Sequence, residues 1–421
     1  MQYKEYSELK ESIHTYTHDS GLKIFMVQKP GFYQNAAYFC THYGSIDNEF
    51  ALDGKKTAVP DGIAHFLEHK MFEQPDGLSV FEKFSKFGAS ANAYTSFDMT
   101  AYYFTCTEHF ETNIKTLIDY VQTPYFTDEN VEKEQGIIAQ EIMMGHDNPE
   151  LRCYYNMLGN LYHHHPIARD IAGSVESIRE IDKDLLYRCY NTFYHPSNMV
   201  LCLVGDFDLQ AMKACVDGAL KQYDRAPLIE RIYPDEPACV VRTLAEEKHA
   251  VGMPIYVIGI KDTDLPDGGA AQMKRRIVMG VILDFLFSKS ADFYTDMYEQ
   301  GLIDNSFMFD YSGGKGYGFA EMSGQSKNPQ AVFDQIRQTI QNANIKEASL
   351  QRIINNQYGS MMMLFNSVDD YADQLARYET FGFDLFAGYD IIRNITMEDV
   401  QSVLKRSLNP ENMTLSVVKP V

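Results

Sequence analysis

Short apolar runs and helical periodicity alternate along the first half of the chain. The runs GLKIFMVQKP and NAAYFCTHYG, which start at Gly21 and Asn35, end in glycine or proline and predict buried strands. Residues 61–73 have the apolar spacing of a helix, and residues 92–107 predict a hairpin of two strands. A further helix is expected at 108–122. This order of elements predicts an α+β fold in which helices pack on a largely antiparallel sheet.

An internal repeat divides the chain into two similar halves. Residues 177–205 align without gaps on residues 391–419 at an offset of 214, and both copies have the pattern of a helix, a Pro-Asn turn and a strand. The identical pairs are Ile178/Ile392, Arg179/Arg393, Ile181/Ile395, Pro196/Pro410, Asn198/Asn412, Met199/Met413, Leu201/Leu415 and Val204/Val418. We therefore expect two homologous domains, 1–225 and 241–421, joined by a linker at 226–240.

Composition and charge narrow the functional classes. The chain has 421 residues and a formal net charge of −21, which argues against a nucleic-acid partner because phosphate binding requires a basic surface. Its seven cysteines are scattered and form no CxxC pair, as expected for thiols in a reducing compartment. Neither a secretory signal nor an apolar run of membrane-spanning length is recognisable. These features predict a cytoplasmic protein with no membrane partner.

The segment DGIAHFLEHKMF, residues 61–72, contains the main candidate for chemistry. On a helix, His65 and His69 are four residues apart and share one face, so both imidazoles can bind one metal ion. Glu68 lies at the edge of that face and is a candidate base for a water on the metal. The alternative is that both histidines are ordinary structural or surface residues, which is the commoner role of such a pair.

The next acidic helix offers the third ligand that a catalytic zinc site requires. Within TDENVEKEQGIIAQEIMMGHDNP, residues 127–149, Glu134 and Glu141 lie two helical turns apart on one face. Apolar residues flank Glu141, and a carboxylate in such surroundings needs a partner. Glu141 is therefore a candidate ligand and Glu134 a candidate supporting carboxylate. The alternative is a pair that forms one solvated face of the helix.

The order H-x-x-E-H is the reverse of the common zinc-peptidase pattern H-E-x-x-H and marks the inverzincins. Together with further segments in the same order, it makes this sequence similar to the pitrilysin or insulinase family of zinc metallopeptidases, and most similar to its short, two-domain bacterial members. The segments that carry the resemblance are VPDGIAHFLEHKMFE, FGASANAYTSFDMTAYYFT, VEKEQGIIAQE, HPIARDIAGSVESI and YHPSNMVLCLVGD. The similarity extends over nearly the whole chain.

The resemblance implies a role for each candidate residue of the first domain. The implied ligands of one Zn²⁺ per chain are His65, His69 and Glu141. Glu68 is implied as the general base, and Glu134 as a supporting glutamate. The implied activity is that of a zinc endopeptidase that cleaves peptides or unfolded segments, in which a water on zinc, activated by Glu68, attacks the peptide carbonyl.

The resemblance also implies where substrate binds. In the family a substrate strand adds to the edge of the sheet beside the zinc, and here that edge would lie near Asn92, Ala93 and Tyr94. Pairing with an exposed edge strand binds peptides through main-chain hydrogen bonds and makes little demand on their sequence.

The second half departs from the pattern of the family. Its counterpart helix, VMGVILDFLFSK from Val278, contains no histidine, so we expect a metal site only in the first domain. Members of the family often use an arginine and a tyrosine, seven residues apart, from a C-terminal domain; Met297 and Asp304 occupy those positions here. We therefore expect a heterodimer with a related metal-free subunit, with a homodimer as the alternative. The alternative to an enzyme is a non-catalytic subunit that binds peptides or serves a structural role.

Overall fold

The computed structural model describes residues 1–224 and 226–421; Arg225, the predicted last residue of the first domain, lies outside the described residues. The strands are β1 (Gln2–Tyr6), β2 (Glu11–Thr17), β3 (Lys23–Gln28), β4 (Asn35–Thr41), β5 (Glu49–Leu52), β6 (Lys55–Ala58), β7 (Ala89–Thr95), β8 (Thr100–Cys106), β9 (Met199–Gly205), β10 (Ile229–Arg231), β11 (Leu244–His249), β12 (Ile255–Lys261), β13 (Met308–Gly314), β14 (Tyr317–Gln325) and β15 (Met413–Pro420).

Helices connect and cover these strands. They are α1 (Ile63–Met71), α2 (Val80–Ser85), α3 (Phe110–Val121), α4 (Asp128–His146), α5 (Pro149–Leu161), α6 (Val175–Ile178), α7 (Lys183–Phe193), α8 (Leu209–Ala219), α9 (Gly269–Phe287), α10 (Asp292–Glu299), α11 (Pro329–Gln341), α12 (Glu347–Met363), α13 (Val368–Thr380), α14 (Ala387–Arg393) and α15 (Met397–Ser407). None of the helices in the described ranges combines the length and apolar character that a transmembrane span requires.

Two compact units make up the fold, and neither is one continuous stretch of sequence. Unit 1 contains Met1–Ile142, Asp170–Ile232 and Met362–Phe386. Unit 2 contains Met143–Arg169, Tyr233–Met361 and Ala387–Val421. Each unit therefore includes one helix from the other half of the chain, α13 in unit 1 and α5 in unit 2. The predicted end of the first domain at 225 and the predicted start of the second at 241 follow from the internal repeat. As domain boundaries they stay a prediction.

The main sheet of unit 1 has seven strands in the order β1-β2-β3-β9-β4-β8-β7. All neighbours are antiparallel except β3 and β9, which are parallel. Strands β4 and β9 are buried at every position, since α13 covers one face and the helices around α1 and α3 cover the other. Burial on both faces explains why these strands are continuous apolar runs instead of alternating patterns. A small second sheet has the order β10-β5-β6.

Unit 2 has a five-stranded sheet in the order β11-β15-β12-β14-β13, antiparallel except where β11 pairs with β15. Helix α5 packs on β12 and β15, and a second apolar core forms between the sheet and helices that include α9 and α11. Both copies of the repeated pattern form the helix, turn and strand that the sequence indicates, as α7 to β9 and as α15 to β15. The predicted α+β fold, with helices on largely antiparallel sheets, is confirmed.

Helix α1 begins at a glycine that the backbone requires. Gly62 has a φ of +88°, and a Cβ atom at this position would lie 2.4 Å from the carbonyl oxygen of Ala172. The helix then buries Ile63, Phe66 and Leu67 against the sheet of unit 1. The apolar face of α1 thus determines where the opposite, polar face points.

Candidate metal centre

The polar face of α1 meets α4 at a cluster of three side chains. The ring centres of His65 and His69 are 4.5 Å apart. The carboxylate of Glu141 lies between the imidazoles, with Oε1 3.6 Å from His65 Nε2 and Oε2 3.5 Å from His69 Nε2. In the part of the chain that the structure describes, these residues form the one group of three or more His, Cys, Asp or Glu whose ligand atoms all lie within 4.8 Å of one another.

The geometry and chemistry of this cluster fit a zinc ion. Two ligand atoms bound to a tetrahedral zinc at about 2.0–2.2 Å lie roughly 3.3–3.6 Å apart. The distances from Glu141 to both imidazoles are of that size. Imidazole nitrogen and carboxylate oxygen are ligands that zinc prefers, and three protein ligands leave a fourth position open for water or substrate.

Burial keeps His65 in the neutral form that can bind a metal. Burial, and secondly the neighbouring His69, lower the pKa of His65 to about 3. Burial alone would also lower the pKa of His69, but its hydrogen bond to Glu134 and the negative charges of Glu68 and Glu141 outweigh that effect and raise this pKa. The site thus combines one imidazole in an apolar setting with one surrounded by carboxylates.

Glu134 orients His69 from the side away from Glu141. His69 Nδ1 donates a hydrogen bond to Glu134 Oε1 at 3.1 Å, which directs Nε2 toward Glu141. The amine of Lys70, whose side chain is fully buried, lies 3.7 Å from Glu134 Oε2 and also pairs with Glu73. Burial raises the pKa of Glu134, but the hydrogen bond to His69 and the charge of Lys70 more than offset this and hold that pKa below its usual value. Carboxylates in this position fix the tautomer of a ligand histidine.

Glu68 is held beside the cluster by a residue of the sheet. Only 7% of Glu68 is exposed, and the hydroxyl of Thr95 at the end of β7 donates a hydrogen bond of 2.6 Å to its Oε2. Burial raises the pKa of Glu68, although the hydrogen bond from Thr95 acts in the opposite direction. A carboxylate with a raised pKa accepts and releases a proton more readily near neutral pH, as a general base must.

The predicted substrate-binding residues lie on β7, whose side chains alternate between the two faces of the sheet. The side chain of Ala93 packs against the core on the side of α1. The side chain of Thr95 lies on the same side, where it bonds to Glu68 of α1. Tyr94 points to the opposite face, where its hydroxyl contacts α13, and alternation places Asn92 on that face too. Within the described residues β7 pairs only with β8, so its other edge offers main-chain groups to a further strand.

In unit 2, the helix that corresponds to α1 is apolar where α1 carries its histidines. Met279, Ile282 and Leu283 of α9 are buried in the apolar core. Met297 is also buried in this core, and Asp304 Oδ1 accepts a hydrogen bond from the main chain of Ser306.

Thr95 and Lys70 are functional candidates that sequence reasoning missed. A signal for Thr95 was present, because strand alternation from Ala91 and Ala93 places it on the face of α1. For Lys70 there was none: a lysine in a helix is usually exposed, and this one is buried only because two carboxylates surround its amine.

The sequence matches two family profiles in series. The profile described as "Insulinase (Peptidase family M16)" matches residues 55–175, which contain all the candidate ligands. The profile described as "Peptidase M16 inactive domain" matches residues 180–357, in the part of the chain without a metal pattern.

Individual relatives agree with these profiles. The "Uncharacterized zinc protease YmfH" of Bacillus subtilis is 42% identical over 422 residues, which cover 99% of this chain and 98% of that protein. The crystal structure of a "putative M16-like peptidase from Alicyclobacillus acidocaldarius" has a TM-score of 0.94 at 36% identity, and the match covers 98% of this chain and 99% of the other. A chain of "Complex III2 from Candida albicans, Inz-5 bound" has a TM-score of 0.73 at 13% identity, covering 96% of this chain and 95% of its own, and shares the fold alone.

Proposed function

The chain belongs to the insulinase family of peptidases, peptidase family M16, and from this membership we propose that it is a zinc-dependent endopeptidase that hydrolyses peptide bonds in peptides or unfolded segments. The observation that carries the proposal is the convergence of His65, His69 and Glu141, with Glu68 in the same helical turn as His69. A buried carboxylate held beside such a cluster favours an enzyme over a non-catalytic subunit.

Each residue of the proposed site has a defined task. His65, His69 and Glu141 would hold one zinc ion per chain, and Glu134 fixes the tautomer of His69. A bound zinc ion would supply Lewis-acid chemistry, polarising the peptide carbonyl and lowering the pKa of a water. Glu68, oriented by Thr95, takes a proton from the attacking water and passes it to the leaving amine.

The substrate would bind as an added strand at β7. Main-chain groups along Asn92, Ala93 and Tyr94 would pair with an extended peptide, so an unfolded segment would bind in preference to a folded protein. Because Thr95 ends the same strand and contacts Glu68, a peptide along β7 lies close to the proposed base.

We further propose that the active form is a cytoplasmic heterodimer with a related, metal-free subunit. Support for a partner comes from Met297 and Asp304, which stand where family members carry a substrate-binding arginine and tyrosine. Support for the location comes from the cysteines, since all seven are unpaired thiols and six of them are buried.

The test is cleavage of a peptide library with zinc added and with zinc chelated, each with and without a candidate partner subunit. We expect zinc-dependent cleavage that Glu68→Gln reduces about 10²–10⁴-fold, with unchanged zinc content. Glu141→Ala should instead lower the zinc content that metal analysis measures.

Retained turnover in Glu68→Gln would remove Glu68 as the base, and unchanged zinc in Glu141→Ala would remove Glu141 as a ligand. Full activity in a chain that is monomeric by native mass would rule out the heterodimer.

A further inference from the structure

Three tyrosines form a row on the face of the unit 1 sheet that α13 covers. Tyr38 on β4 and Tyr103 on β8 are directly opposite in register, and their rings stack with centres 4.6 Å apart. The ring centre of Tyr94 on the edge strand β7 lies 6.1 Å from that of Tyr103. The row therefore runs from the interior of the sheet to its edge, on the face opposite to α1.

Helix α13 places charged residues against both ends of this row. Asp369, Asp373 and Arg377 are four residues apart and so lie on one face of the helix. The hydroxyl of Tyr38 donates a hydrogen bond to Asp369 at 2.9 Å. The hydroxyl of Tyr94 donates to Asp373 at 2.5 Å and accepts from Arg377 Nη2 at 3.2 Å.

The contacts at Tyr94 are stronger than an ordinary surface hydrogen bond. The side chains of Arg377 and Asp373 are 29% and 21% exposed, with Nε 3.8 Å from Oδ2, so solvent screens their charges only in part. The guanidinium carbon of Arg377 also lies 5.6 Å from the centre of the Tyr94 ring. Hydrogen bonds to charged partners are stronger than those between neutral groups.

The contact between Tyr94 and α13 is important because β7 is an edge strand. Strand β4 is held on both sides by β8 and β9, whereas β7, in the described part of the chain, has only β8 beside it. An edge strand frays more easily, because one set of its main-chain groups has no partner strand. Pairing with a peptide is then weakened by the free energy needed to order the strand, unless another contact has already ordered it.

We propose that Asp373 and Arg377 are positioning residues that hold β7, through the hydroxyl of Tyr94, in the extended form to which a substrate strand adds. This inference rests on the proposed peptidase function, and it assigns a role in substrate binding to a helix that follows the candidate metal ligands by more than 200 residues of sequence.

The chain offers a matched pair of variants for the test. Tyr94→Phe and Tyr38→Phe each remove one tyrosine hydroxyl bound to an aspartate of α13, the first on the edge strand and the second on an interior strand. We expect Tyr94→Phe to raise KM for a peptide about tenfold, with kcat within twofold of the wild type and the same zinc content. Hydrogen exchange of the amides at residues 89–95 should become faster. Tyr38→Phe should change neither KM nor this exchange.

A second pair examines the helix side of the contact. Arg377→Lys keeps a positively charged donor near Tyr94, so its KM should stay close to that of the wild type. Arg377→Met removes the donor, so its KM should rise as in Tyr94→Phe. If Arg377 only stabilised the fold, Arg377→Lys and Arg377→Met would not differ in KM while kcat stayed constant. This pair also decides the matter if Tyr94→Phe does not fold.

Equal KM and equal exchange at residues 89–95 in Tyr94→Phe and Tyr38→Phe would overturn the inference. A fall in kcat at constant KM would also overturn it, because it would place the effect on the chemistry. If the wild-type protein cleaves no peptide either with or without a partner subunit, the proposed function fails, and the exchange comparison alone then decides whether Tyr94 orders β7.

Discussion

At the scale of single residues, burial shifts the pKa values of ionisable groups and so changes their charge states. Burial keeps His65 neutral, and at Glu68 it raises the pKa beside the hydroxyl of Thr95. Outside the candidate site the same effect acts on Glu321 of β14. This residue is directly opposite Asp310 on β13 and near Tyr154 of α5, and its Oε2 is buried without a hydrogen-bond partner among the described residues.

Glu321 should make the stability of the protein depend on pH. Burial first, and the charge of Asp310 second, raise its pKa from 4.5 to about 7. The folded chain therefore binds this proton more tightly than the unfolded chain, so the free energy of unfolding falls as pH rises from about 4.5 to about 7. The full loss is about 3 kcal/mol. We expect Glu321→Gln to be more stable than the wild type at pH 8 and equally stable at pH 4, as measured by denaturant unfolding.

A suitable control is Glu411→Gln, which removes a carboxylate from an exposed position. It should have no effect at either pH. If Glu321→Gln gave no gain at pH 8, the carboxylate would have a partner or solvent access in the folded protein.

At the scale of elements, the candidate site depends on how α1 enters the fold. The apolar residues of α1 fasten it to the sheet, and Gly62 lets the chain pass close to Ala172 just before the helix starts. The first turn of α1 contains His65, so a displacement there moves a candidate ligand away from Glu141 on α4.

Gly62→Ala should therefore lower both stability and zinc affinity. The new methyl group adds a collision with the carbonyl of Ala172 to the strain of a left-handed backbone, and we expect a loss of roughly 3 kcal/mol or more. Gly54→Ala is the matched control, since Gly54 has a φ of +82° but no atom within 4 Å of an added Cβ. It should cost about 1 kcal/mol and leave zinc affinity unchanged. Thermal unfolding and chelator competition measure the two effects, and equal losses in both variants would contradict the importance of the contact with Ala172.

At the scale of the whole molecule, the two units depend on segments from both halves of the chain. Strands β4 and β9 of unit 1 bury one face under α13, which belongs to the second half of the sequence. Without that helix the face would expose a continuous apolar surface, which favours aggregation.

Cutting the chain at the predicted linker tests this dependence. We expect the fragment 1–225 alone to aggregate or remain unfolded, although it contains every candidate ligand, and co-expression with 226–421 to restore a folded complex that binds zinc. Circular dichroism and metal analysis of the purified fragment measure the outcome. A stable, monomeric fragment 1–225 would show that α13 is dispensable for the fold of unit 1.

Much of the fold and part of the site follow from local sequence. Helical spacing brings His65 and His69 to one face, and two turns separate Glu134 from Glu141, because both patterns depend only on the geometry of a single helix. Strands β3 and β4, the β7–β8 hairpin and the repeated helix-turn-strand pattern are likewise encoded by residues that are neighbours in the sequence.

Tertiary structure alone decided which distant residues meet. Tyr94 and Asp373 are 279 residues apart, and no local pattern indicates that α13 crosses from the second half of the chain to cover β4 and β9. The burial of Lys70 was equally hidden, because Glu73 is close in sequence but the second carboxylate beside the amine, Glu134, comes from another helix through long-range packing. The sequence by itself determined the elements and the shared helical face of His65 and His69, since these depend on short-range spacing. The packing of whole elements decided the charge states, the anchor of the edge strand and the division into units, since these depend on contacts between residues far apart in the chain.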